Sequence, residues 1–89
     1  MARLELTAVE GATCGGLSTS PDALFELGLM YSSGRDVDPD LIAAHKWFNL
    51  AALRGNKQAR EYRSEISQEM SRREIAKAQR LAREWLAKY

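Results

Sequence analysis

From Ser20 to the C-terminus the apolar side chains return every three or four residues, the period of α-helices packed on one face. Start and stop signals divide this stretch into four helices. Ser20-Pro21 places a hydroxyl at an N-cap and a proline at the first helical position, with Asp22 at the positive end of the helix dipole. The first helix runs from there to about Ser33, where Gly34 supplies a left-handed stop. Asp38-Pro39 repeats the cap-plus-proline signal and places Asp40 in the first turn of a second helix, which runs to Arg54 and closes at Gly55. Asn56 caps a third helix after a tight link. In Met70-Ser71-Arg72-Arg73-Glu74-Ile75, Ser71 and Glu74 have capping-box spacing and Met70 and Ile75 that of a hydrophobic staple, so a fourth helix reaches nearly to Tyr89. The expectation is an all-α chain of four antiparallel helices.

The same period names the packing faces. They are Ala23, Leu27 and Tyr31 on the first helix and Ala44, Trp47, Phe48 and Ala51 on the second. Ala59, Tyr62 and Ile66 follow on the third, and Ile75, Ala78, Ala82 and Trp85 on the fourth. Gly28, inside the first helix, costs about 1 kcal/mol relative to alanine. It reads as a point where another helix comes close. Residues 1–20 lack this period. They carry Gly11, Thr13, Gly15, Gly16 and Ser18 to Ser20, which is loop chemistry, and only Leu4 and Leu6 alternate like an extended piece. The chain therefore divides into an arm, residues 1–20, and a helical domain, residues 21–89.

Composition narrows the class. With 89 residues, a net charge of +1, 45% hydrophobic and 28% charged residues, the chain makes one domain and is too apolar to be disordered throughout. A chain of this size buries only about 60–65% of its unfolded surface and usually needs a staple. Cys14 is its only cysteine, which rules out an internal disulfide and a cysteine-based zinc site, and a single histidine rules out a histidine cluster. Apolar runs are too short to span a bilayer, and the charged N-terminus lacks a secretory core, so a cytoplasmic protein is expected.

Candidates for chemistry are few. His45 is expected on the surface, opposite the Trp47 packing line, with no titratable side chain three or four residues away. Cys14 has no basic neighbour to activate it. Asp36, Asp38 and Asp40 lack the continuation to a glutamate that a calcium loop needs, and Asp38 reads as the helix cap. The expectation is a protein that is not an enzyme, with no catalytic residue, no cofactor and no metal.

Ala23, Leu27, Gly28, Tyr31, Gly34, Val37, Asp40, Ala44, Trp47, Ala51, Ala52, Gly55 and Ala59 are spaced as in a Sel1-like repeat, which this segment resembles. The resemblance implies a helix–loop–helix unit of an α/α solenoid over residues 21–55, with residues 56–89 a divergent second pair or a closing cap. The tetratricopeptide unit fits less well, because its turn is shorter than SSGRDVDP. Asp36 stands where the family usually has a second glycine, and aspartate tolerates a left-handed backbone better than most residues. The segment SRREIAKAQRLAREWL resembles the C-terminal helix of short bacterial Sel1-like proteins. What the resemblance implies is protein binding, as an adaptor or accessory subunit, without cofactors.

A solenoid unit needs neighbours or caps on both sides. Phe25 and Leu29 lie two residues beyond Ala23 and Leu27, about 200° around the helix, and no preceding repeat covers them. A partner protein, a second copy of the chain, residues 1–20 folding back, or simple half-exposure are the open alternatives. Charge gives the other clue. Residues 21–55 sum to −2 (three basic, five acidic) and residues 56–89 to +4 (nine basic, five acidic). Arg73, Lys77 and Arg80 form one stripe on the fourth helix, suited to an acidic partner surface or to nucleic acid. Glu61, Glu65, Glu69, Glu74 and Glu84 interleave with the basic residues, which disfavours nucleic acid and favours an ion-paired face.

Overall fold

Every helix in the computed structural model, which describes residues 20–89, begins at a side chain that replaces a missing backbone partner. The helices are α1 (Pro21–Ser33), α2 (Leu41–Leu53), α3 (Lys57–Ser67) and α4 (Arg72–Lys88), and no strand occurs among the described residues. The Ser20 hydroxyl accepts from the Ala23 amide at 3.2 Å, and Gly34 ends α1 in the left-handed region at φ 79°. Asn56 Oδ1 accepts from the Ala59 amide at 2.8 Å to start α3, while its Nδ2 donates to Asp22 Oδ1 at 3.2 Å. One amide side chain thus caps α3 and ties it to the start of α1. Ser71 and Glu74 form the expected capping box on α4.

The start of α2 corrects the expectation. Asp40, not Asp38, is the N-cap, and its carboxylate accepts from the Ala43 amide at 3.1 Å. The Asp40 amide donates to the Tyr31 carbonyl at 2.9 Å, which fixes this residue against the end of α1 in an extended conformation. Pro39 sits outside the helix, so close to Gly34 that an added Cβ there would lie 2.7 Å from the proline Cγ. Asp36 takes the left-handed conformation (φ 67°) expected of it, completing the loop without the second glycine. At the other end Arg54 is the cap rather than the last helical residue, and Gly55 follows at φ 110°.

Packing is organised around α2. Each of α1, α3 and α4 packs on it, whereas α3 and α4 scarcely meet each other. The buried residues of α2 (Ala44, His45, Trp47, Phe48, Leu50 and Ala51) cover about 220° of its circumference at 3.6 residues per turn. Two ring groups radiate from it. Phe48 meets Phe25 of α1 at 5.7 Å and Tyr62 of α3 at 5.5 Å, and those two rings meet edge to face at 5.2 Å. Trp47 meets Trp85 of α4 edge to face at 5.8 Å, with Tyr89 beyond it at 5.3 Å. Such pairs add about 0.5–1.5 kcal/mol each beyond their buried area.

The buried side of α1 is also rotated from the expected line. Leu24, Leu27 and Gly28 form it, while Ala23 and Tyr31 are half-buried. Phe25 is about 60° from Gly28 around the helix, so it shares the side facing α2 instead of lying opposite to it. Gly28 has the close-approach role the sequence suggests: a Cβ there would stand 2.4 Å from the Phe48 ring.

Two expectations follow for denaturation measurements. Gly28→Ala destabilises the fold by about 1–3 kcal/mol despite its better helix propensity, and combining it with Phe48→Leu costs less than the sum of the single changes. Asp36→Gly raises stability by up to about 1 kcal/mol by relieving the left-handed backbone.

Candidate functional site

Two surfaces carry the residues that the sequence singles out, and the fold keeps them apart. The first is the flank of α1. Phe25 and Leu29 are half-buried and pack against the core, with Phe25 held between the Phe48 and Tyr62 rings. Tyr62 stays 38% exposed, extending this flank onto α3. Leu4, Leu6, Cys14, Gly11, Gly15 and Gly16 lie outside the described residues.

The second surface is the outward face of α4. Ala78, Ala82 and Trp85 bury one side of this helix, which turns Arg73, Lys77 and Arg80 outward. Arg80 Nε lies 3.6 Å from Glu84, an exposed pair that contributes little energy. Glu74 is occupied by the Ser71 amide at 2.8 Å. Three of the acids that interleave in sequence belong elsewhere: Glu61 and Glu65 are on α3, and Glu69 is in the turn after it. The α4 face is therefore more basic than the linear sequence suggests.

The C-terminal turns of α2 and α4 add a feature that the helical period alone did not reveal. The Arg54 guanidinium lies over the Trp85 ring, 5.7 Å from its centre, bringing the two helix ends together. Leu53, at the end of α2, and Leu86 and Tyr89, at the end of α4, are 63%, 39% and 52% exposed. The available signal was the placement of large apolar residues at helix ends, outside the packing lines.

His45 departs from expectation. It is buried, because α3 covers the side of α2 that the sequence reading assigned to solvent, and its Nδ1 is buried without a hydrogen-bond partner. Burial lowers its pKa below 6.5, and the positive charge of Arg63 lowers it further. Arg63 reaches α2 by donating to Asn49 Oδ1. Among the described residues no group of three or more His, Cys, Asp or Glu is placed to hold a metal ion.

Residues 21–56 match the family model of the Sel1 repeat. The matched span runs from the first residue of α1 to Asn56, the N-cap of α3, and so coincides with one helix–loop–helix unit and the residue that links it onward. Comparison with curated proteins and with solved structures gives no match.

The histidine makes a pH-dependent prediction. Because the folded pKa lies below the ordinary value of 6.5, the unfolded chain takes up the proton first. The contribution of neutral His45 is complete above about pH 6.5 and is lost as pH falls from there through the folded pKa. Urea denaturation across this range should show that loss in the native protein and a flatter profile in His45→Gln. Arg63→Gln should narrow the window by raising the histidine pKa.

Proposed function

We propose that this chain, a Sel1-repeat protein by its match over residues 21–56, is an adaptor or accessory subunit of a larger protein assembly, without catalytic activity of its own. Sel1 repeats are generally protein–protein interaction modules. The observation that carries the reading is the flank of α1. Ala23, Phe25, Leu29 and Met30 are only half-buried around a helix whose main packing partner is α2, and a repeat array would place further structure there. Phe25 and Leu29 are the apolar anchors for the partner, another protein or a second copy of the chain, while Arg73, Lys77 and Arg80 add charge complementarity from α4. A cytoplasmic, bacterial setting is part of this proposal, and it agrees with the absence, among the described residues, of any helix long and apolar enough to cross a membrane.

The basic face of α4 favours a second reading, a nucleic-acid-associated regulator that binds through Arg73, Lys77 and Arg80. Neutralising all three should then abolish a strongly salt-dependent association with DNA or RNA.

The leading reading is tested at Leu29, because Phe25 also supports the Phe48 and Tyr62 rings. Leu29→Ser should weaken capture of the native partner at least about tenfold, while its helical circular dichroism stays within a few per cent of wild type. Equal capture by a folded Leu29→Ser protein removes the α1 flank as the binding surface. Phe25→Ser should lose capture and stability together.

A further inference from the structure

We infer that the outward face of α4 docks an acidic, amphipathic polypeptide segment that ends on the apolar patch of Leu53, Leu86 and Tyr89. This rests on the protein-binding reading and names the chemistry of the partner at one surface. Arg72, Arg73, Lys77, Arg80, Arg83 and Lys88 are all exposed, and they fall within an arc of about 160° along a helix about 25 Å long. Only Arg80 has an acidic partner among the described residues, Glu84. Among the described residues, the other five cations have no ion pair, and all lie on one side of a single helix. Ala76 and Ala87 lie within the same arc and keep its floor low between the longer side chains.

The arc does not end in solvent-facing polar residues. Leu86 lies one turn beyond Arg83, about 60° around the helix, and Tyr89 continues in the same direction. The Arg54–Trp85 contact brings Leu53, at the end of α2, to this end of α4. A row of cations that leads into three exposed apolar side chains matches a segment bearing carboxylates along its length and an apolar anchor at one end.

A nucleic acid suits the surface less well. The arc presents no aromatic ring for a base to stack on. The apolar patch would also be left uncovered by a phosphate backbone.

The test uses the full chain and three fluorescent probes of equal net charge. They are a helical peptide of glutamate and leucine, a leucine-free polyglutamate peptide, and a single-stranded oligonucleotide. Vesicles of phosphatidylcholine with phosphatidylserine are the fourth arm. At physiological salt the glutamate–leucine peptide should bind at least about tenfold more tightly than the other two probes, and vesicles should not retain the protein. Replacing Arg73, Lys77 and Arg80 by glutamine should weaken that binding at least about tenfold, and Leu86→Ser with Leu53→Ser should erase only the advantage over polyglutamate. Leu29→Ser should leave all probe affinities unchanged.

Tighter binding of the oligonucleotide, retention on vesicles, equal affinity for both peptides, or an unaffected triple variant each overturns the inference. None of these outcomes touches the α1 flank. If the probes fail while Leu29→Ser still loses the native partner, only the assignment at α4 falls.

Discussion

The constraint on which the structure depends is the burial of α2 by three helices at once. Phe48 faces Gly28, Phe25 and Tyr62, and Trp47 faces Trp85, so two adjacent residues connect α2 to all of its neighbours. Neither ring group can form without it. The missing Cβ of Gly28 admits the Phe48 ring, and that approach brings α1 close enough for Leu24 and Leu27 to be buried. A chain without a disulfide gains coherence by concentrating its large side chains on one central element, so that covering one helix orders the others.

Local chemistry was the most legible part of the sequence. The caps at Ser20, Asn56 and Ser71, the left-handed stop at Gly34, the left-handed Asp36 and the close approach at Gly28 all follow from short-range geometry. Asp38 misled because Pro39 follows it in the cap-plus-proline pattern, whereas a tertiary hydrogen bond from the Asp40 amide to Tyr31 fixes Asp40 as the cap. Phe25 misled because the buried line of α1 is rotated toward it, and His45 because one buried line does not describe α2, which is covered over more than half its girth. The basic face of α4 was legible as a stripe, but its lack of counter-charges was not, because glutamates near in sequence are carried away on α3.

The repeat and the remainder of the chain behave differently. In the repeat, one backbone bond, from the Asp40 amide to the Tyr31 carbonyl, ties the start of α2 to the end of α1. The second pair keeps helical form without pairing closely with itself, and each helix uses α2 as its support. One side therefore presents a half-buried apolar flank on α1, and another the charged exterior of α4. The two surfaces thus differ in chemistry, one apolar and the other charged.

The order in which the helices meet α2 bears on how the chain is made. Contacts of α1 and α3 with α2 join neighbours in sequence, but the Trp47–Trp85 contact skips an entire helix. At ribosomal rates of about 5–20 residues per second, the 37 residues between those tryptophans take roughly 2–8 s to synthesise. During that interval the Phe48 side of α2 can already be covered, while its Trp47 side lies bare. Until α4 is in place, α2 therefore carries a bare tryptophan-bearing face.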